Sequence, residues 1–439
     1  GVMMYMSRIL CLLMMFCYAP LVWAQQATPD HRYLISRDTD FFGADLTNLF
    51  DTSEAACARA CSAQQACVAY TFNIRNNACF PKSAITERQP YTGAVSAQKV
   101  VTPVQPRQIA QTRRNEASFL RPEDLNAAIA FIDTNARRFS FETASPDAFA
   151  NAMAAAERES RWADALRWAG MAAAVSDRPE FWTAYSRYAL ILSDTNRSSD
   201  RRKYRREAVM AAVNGYLRTE QSGLQSEALL ALARALEADR RGRDSISALR
   251  LAYQAQPRDD INIALDAAIA KYGFRIVDHQ IEDDSADPRI CTEFSEKLVQ
   301  AGVDYEPFVR VEGRGLVVVA EGKQICIDGV SHGLRYLVTF RSGLPAASGE
   351  TLEKDVTLRL YVRDRKPSVR FAGRAYVLPR SADAALPVQT VNTDTLELSL
   401  SRVSDRNLVR TIRENYFGKP LSTYEADQFN ADLAQEVWT

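Results

Sequence analysis

The sequence predicts a multidomain α+β protein: a small disulfide-stapled module, a long α-helical region, then antiparallel β-sandwiches. Three observations point there. Four cysteines crowd into "CARACSAQQACVAYTFNIRNNAC", Cys57 to Cys79. From about Arg121 to Tyr272 the chain is alanine-rich and helical in character, with almost no strand signal. After Gly273 the pattern changes to alternating β-branched runs divided by Gly, Pro and Asp turns.

The order of elements begins with a leader. "GVMMYMSRILCLLMMFCYAPLVWAQQ" has one positive charge at Arg8, an apolar run from Ile9 to Phe16, a breaker at Pro20 and small residues before Gln25. That is a secretory signal over residues 1–24, with cleavage expected between Ala24 and Gln25. The apolar stretch is too short for a stable membrane span, and no lipobox cysteine follows it, so an exported, soluble product is expected. Met6 reads as the natural start. Lys plus Arg and Asp plus Glu both number 54. A near-neutral chain offers no electrostatic reason to expect nucleic acid or an anionic membrane as partner.

Eight cysteines, less Cys11 and Cys17 in the leader, leave six: Cys57, Cys61, Cys67, Cys79, Cys291 and Cys326. An even number in an exported chain reads as disulfides. Cys57 and Cys61 share a helical face, with Asp51 as the expected cap and Glu54 three residues on. Cys67 opens the β-prone run "CVAYTFN", and Cys79 follows the turn "NIRNN". Nested pairing, Cys57 with Cys79 and Cys61 with Cys67, is the preferred connectivity. Chain entropy assigns such loops roughly 3 and 2 kcal/mol. Zinc is the competing reading, but the C-x3-C-x5-C-x11-C spacing matches no zinc motif. The stretch from about residue 32 to 99 resembles a PAN/Apple module, on the order "C-A-R-A-C…C-V-A-Y-T-F-N…C-F" with Tyr70 and Phe72 after the third cysteine. The resemblance implies a helix crossing an antiparallel sheet and a protein or carbohydrate ligand. The module is placed at residues 30–100.

Residues 101–119, rich in Pro, Gln, Thr and Arg, read as a linker. Residues 120–272 hold helices near "PDAFANAMAAAERES", "WADALRWAGMAAAVS", "PEFWTAYSRYALILS", "YRREAVMAAVNGYLR", "LQSEALLALARALEADR" and "RDSISALRLAYQA". Ala165, Gly170, Ala173, Ala231 and Ala248 sit where paired helices would approach closely. The pattern resembles a degenerate tetratricopeptide-like (TPR-like) solenoid, with an irregular bundle as the plainer alternative. The basic run "NRSSDRRKYRRE" reads as a solvated turn between helices.

The carboxy-terminal third supplies "FRIVDHQI", "GLVVVAEG", "KQICIDG", "RYLVTFRSG", "VTLRLYVRD", "PSVRFAG" and "TLELSLSRV" as strands. Cys291 and Cys326 are expected to bridge within the first sandwich, residues 273–366, closing a loop worth roughly 4 kcal/mol. A second sandwich is expected over residues 367–439. The blocks "ICTEFSEKL", "ICIDGVSHGLRYLVTFRSGLPAASGETL", "RFAGRAYVLPRSADAALPVQTVNTDTLELSLSRVSDRNLVRTI" and "ENYFGKPLSTYEADQF" resemble the amino-terminal macroglobulin-like domains of bacterial alpha-2-macroglobulins. That family implies a large protease trap with a bait segment and, in many members, a Cys-x-Glu-Gln thioester. This sequence contains no such motif. One near text, Cys61-Ser62-Ala63-Gln64, lacks the Glu and uses a framework cysteine. The second sandwich reads as incomplete, so the chain is expected to be part of a longer polypeptide.

Catalysis is not expected. Of three histidines, His31 opens the small module and His332 reads as a turn residue. His279 lies near Asp278, Glu282, Asp283 and Asp284, a solvated turn lacking a second ligand histidine. No G-x-S-x-G, H-E-x-x-H or P-loop pattern occurs, and no cofactor or metal is implied. The resemblance implies the scaffold and recognition part of an exported, broad-range endopeptidase inhibitor, expected to meet target proteases through the full-length protein. The alternative is a secreted adhesion or ligand-binding protein using the small module and the helices.

Overall fold

The computed structural model describes residues 26–142, 145–195, 200–299, 301–372, 378, 380–381, 383–417 and 419–438. The expected signal and its cleavage site at Ala24 and Gln25 lie outside the described residues. The chain divides into two compact units, residues 1–273 and 274–439. No described helix is long and apolar enough to cross a membrane.

The first unit opens with a four-stranded antiparallel sheet in the order β1-β4-β2-β3, formed by β1 (His31–Phe42), β2 (Ala69–Asn73), β3 (Ala78–Lys82) and β4 (Glu87–Val101). Helix α1 (Glu54–Ala63) crosses it and buries Cys57 and Cys61 on one face. The helix is capped by Ser53, whose Oγ accepts from the Ala56 amide at 3.2 Å. The expected cap, Asp51, instead sits in a left-handed conformation at φ 50°. The extended backbone that a cap requires occurs two residues later, at Ser53.

The expected linker over 101–119 is largely a helix, α2 (Val104–Glu116). Pro106 is tolerated because the first turn has no intrahelical acceptor for its missing N–H. Arg113 and Arg114 suit the negative end of the helix. Arg113 Nε also donates to the Thr219 carbonyl at 2.9 Å, fastening α2 to the helices beyond.

Those helices are α3 (Pro122–Ala136), α4 (Pro146–Arg158), α5 (Trp162–Ser176), α6 (Pro179–Thr195), α7 (Asp200–Leu217), α8 (Ser222–Ala238), α9 (Gly242–Ala255) and α10 (Asp259–Tyr272). Successive pairs α4/α5, α6/α7 and α8/α9 form antiparallel hairpins, and the first helices α6 and α8 also touch. The result is a TPR-like array whose core is alanine interleaved with Trp182, Tyr188 and Tyr216. Alanine and glycine let the axes come close. At Gly170 an added Cβ would lie 2.8 Å from Asn135 Oδ1 and 3.1 Å from the Phe139 ring. Gly170→Val is therefore expected to destabilise the helical array by about 2–3 kcal/mol in urea unfolding. A change under about 0.5 kcal/mol would mean that the contact yields freely.

The basic run is not a turn where it is described: Asp200 to Glu207 forms the first two turns of α7, with Glu207 buried.

The second unit begins with a true sandwich. Sheet β5-β6-β9-β8 uses β5 (Ile276–Glu282), β6 (Arg289–Phe294), β8 (Val317–Glu321) and β9 (Gln324–Asp328). It faces sheet β11-β10-β7, from β7 (Val309–Arg310), β10 (Arg335–Phe340) and β11 (Val356–Tyr361). Phe294 stacks on Phe274 at 5.3 Å and meets the Phe340 ring edge at 5.5 Å, joining the two faces. Beyond Val362, where a second sandwich is expected, the described residues form two ribbons, β12 (Ser368–Phe371) with β13 (Val388–Val391) and β14 (Leu400–Val403) with β15 (Ala434–Trp438). Helices α11 (Asp405–Arg413) and α12 (Thr423–Asp432) accompany them. Leu408, Val409 and Ile412 lie exposed on α11, whereas Leu433, just after α12, is buried.

Candidate functional site

The small module is built around its sulfurs. Cys57–Cys79 ties α1 to β3 with a Cα separation of 5.4 Å, and Cys61–Cys67 ties the end of α1 to the approach to β2 at 5.2 Å. All four cysteines are almost fully buried among Tyr33, Ile35, Tyr70 and Phe72. Tyr70 and Phe72 are therefore core residues, not ligand contacts. In the sandwich, Cys291 and Cys326 face each other directly across β6 and β9 and are bonded, so that bridge lies within one sheet.

Cys61 of the Cys-Ser-Ala-Gln text is thus committed to Cys67, and Gln64 ends α1 with its amide on the Cys61 carbonyl at 3.2 Å.

The module is fastened to the helices through polar contacts that sequence reading did not find. Arg32 on β1 donates Nε and Nη2 to the Ala174 and Val175 carbonyls at 2.8 and 2.7 Å, closing the carboxy-terminal end of α5. Ser36 Oγ donates to the Phe141 carbonyl at 2.6 Å, and the Phe141 amide returns a bond to Ile35 at 2.8 Å. Arg137, at the carboxy-terminal cap of α3, pairs with Glu54 on α1 at 2.6 Å. The Tyr70 hydroxyl donates to the same Glu54 oxygen at 3.2 Å. Burial first, and the Glu54 charge second, push the Tyr70 phenol well above its ordinary range. Leu34 seals the seam against Ala136, Phe141 and Ala174. The sheet module and the helices form one joined body.

Asp30, His31 and Ser62 form a hydrogen-bonded line, Asp30 Oδ1 to His31 Nδ1 at 2.6 Å and His31 Nε2 to Ser62 Oγ at 2.8 Å. Acid, imidazole and hydroxyl in this order resemble hydrolase machinery. Ser62, however, lies in the last turn of α1, which presents carbonyl oxygens and not the N–H donors an oxyanion requires. Tyr33 OH also bonds Ser62 Oγ at 2.8 Å. The line serves to tie the start of β1 to α1.

Exposed apolar groups and a groove mark the outward side of the first unit. On the small module Phe42, Phe50 and Ile74 are exposed, and Phe50 meets Phe80 edge to face at 6.5 Å. On the first-helix side of the array, a groove of about 640 Å³ runs between α6, α8 and α10, with Leu190, Ile191 and Ala231 as apolar floor. A second hollow of about 430 Å³ continues it across Arg187 and Arg234. Arg187 reaches Glu157 at 3.5 Å, and Arg258 is held by Glu227 and Asp260. An apolar floor with charged walls of both signs suits an extended polypeptide segment. The arginines of this groove are scattered over the sequence and form no linear motif.

The carboxylate-rich stretch is dispersed. Asp278, His279 and Glu282 lie along β5, and Asp278 accepts from the His279 amide at 2.8 Å. His332 Nε2 lies 2.8 Å from the Asp283 carbonyl, which pins the two turns together. Among the described residues no group of three His, Cys, Asp or Glu side chains is arranged to hold a metal.

Comparison with known proteins adds family matches to this geometry. Residues 39–82 match the family model of the PAN domain, and residues 370–439 match that of the bacterial alpha-2 macroglobulin MG2 domain. A stretch of 103 residues, 24% of the chain, is 28% identical to alpha-2-macroglobulin of Escherichia coli (strain K12). Another of 142 residues, 31% of the chain, is 27% identical to alpha-2-macroglobulin of Xylella fastidiosa (strain 9a5c). These stretches span 6% and 9% of the two relatives' lengths. The solved structure of native Escherichia coli alpha-2-macroglobulin spanning domains MG0-NIE-MG1 is similar at 20% identity and a TM-score of 0.25, over 39% of this chain and 56% of that one.

Proposed function

We propose, for a chain related to the bacterial alpha-2-macroglobulins and carrying a PAN domain, that it is the scaffold and recognition part of an exported, broad-range endopeptidase inhibitor of that type. The observation carrying this reading is the MG2 match over residues 370–439, which follows directly on a β-sandwich stapled by Cys291–Cys326. Three disulfides suit an oxidising compartment, periplasmic or extracellular, and so support export. In this reading the PAN domain and the helical array are a rigid recognition head for a protein or carbohydrate ligand. The trapping chemistry belongs to other parts of the full-length polypeptide, through which target proteases are met.

The test uses a general protease with a large protein substrate and a small chromogenic peptide. Residues 25–439 alone are expected to protect neither substrate. The longer in-frame polypeptide is expected to protect the large substrate while leaving the small peptide open to cleavage. Strong inhibition by residues 25–439 would overturn the division of labour, and failure of the longer polypeptide to discriminate by substrate size would overturn the trap.

A further inference from the structure

We propose that the cleft between α3 and α7 binds the two charged ends of a short apolar peptide: its free ammonium at Glu207 and its carboxylate at the basic rim. This site is separate from the trap reading and lies within the helical array.

The cleft has a volume of about 430 Å³, within the range of small-molecule sites. Ala127, Ala130, Phe131 and Met210 give it an apolar floor. Glu207 lines the wall with only 4% of its surface exposed. One carboxylate oxygen, Oε1, is satisfied, accepting from the Tyr185 hydroxyl at 2.8 Å and from Arg138 Nη1. The other, Oε2, is buried without a hydrogen-bond partner. A carboxylate oxygen has room for two donors, and leaving one buried and empty is costly, so the position calls for a donor from outside the fold.

Arg138 does not meet that need. Its guanidinium is placed by Tyr185 at 2.9 Å and lies over the Phe131 ring at 5.6 Å. At the mouth, Arg202, Lys203 and Arg206 are exposed along one stretch of α7 and have no ion-pair or hydrogen-bond partner among the described residues. A buried acceptor in the wall, an apolar floor and uncommitted cations at the rim match a ligand with a donor cation at one end, an aliphatic body and an anion at the other. A free dipeptide with aliphatic side chains has that order of groups. The basic run that reads as a solvated turn in the sequence becomes the rim of a site.

Isothermal titration of the chain with leucyl-leucine at neutral pH and low salt is the experiment. Saturable binding is expected, about tenfold or more weaker for N-acetyl-leucyl-leucine, which lacks the ammonium, and for leucyl-leucinamide, which lacks the carboxylate. The Arg202→Ala/Arg206→Ala double variant, altered only at exposed positions, is expected to melt like the parent and lose about tenfold in affinity. Absence of binding by leucyl-leucine, equal binding of either blocked form, or full affinity in the double variant would each overturn the site.

Discussion

Alanine at both Cys57 and Cys79 is expected to unfold the sheet module while the helical array stays folded. The bridge closes a loop with a sequence separation of 22, which the chain-entropy model values at about 3 kcal/mol, and both sulfurs are fully buried. Truncating them adds a cavity beside Tyr70 and Ile35, so the combined loss is about 3–5 kcal/mol. A module of this size, with so small a core, holds a margin of only a few kcal/mol. Hydrogen exchange resolved by segment is the measurement. Protection should collapse over residues 69–101 and persist over α6 to α9. The residue that ties the outcomes together is Leu34, because its loss uncovers Ala136, Phe141 and Ala174 at the seam. Uniform protection in the double variant would show that the seam, not the sulfurs, holds the module together.

The nesting of those bridges is legible in the sequence because it rests on local periodicity. Two cysteines four apart on a helix share a face, and of the next two one stands just before a β hairpin and the other in its second strand. The strands of the first sandwich are legible for the same reason, through alternation along "KQICIDG" and "RYLVTF". Helix α2 is not legible because its buried surface reduces to Ala110, too little to write a period of 3.6 into the sequence. Helix α7 fails in the opposite way. From Glu207 to Leu217 all but Met210 are buried, so no stripe exists and the preceding cations dominate the reading. The Glu207 environment is the product of Tyr185 and Arg138, 22 and 69 residues away. A glutamate among arginines gives no sign of such partners. The contacts of Arg32 with α5 span more than 140 residues and are equally invisible to a linear pattern.

Arg218→Ala is expected to cost about 3–5 kcal/mol, because it strands a buried carboxylate. Arg218 Nε pairs with Asp177 Oδ1 at 2.7 Å, with the two side chains only 5% and 15% exposed. Asp177 ends α5 in a left-handed conformation at φ 55° and also accepts from Trp182 Nε1 on α6 at 3.0 Å. The remaining nitrogens of Arg218 reach the Asn214 carbonyl at 3.0 Å and Thr28 Oγ1 at 2.9 Å. One guanidinium therefore joins α5, α6, α7 and the segment leading into β1. Arg32 lies close enough to feel both charges: burial lowers its guanidinium below the ordinary value, Asp177 opposes that shift and Arg218 adds to it. Removing Arg218 should thus weaken both the array and its seam with the sheet module, and the two are expected to melt at separate temperatures, against one transition expected for the parent. Pairing Arg218→Met with Asp177→Asn separates charge from packing, since asparagine tolerates the left-handed backbone at 177. If the double change restores about half or more of the loss, the penalty belongs to the stranded carboxylate. A loss under about 1 kcal/mol for Arg218→Ala would mean that water replaces the guanidinium, and the proposed node between module and array would fall with it.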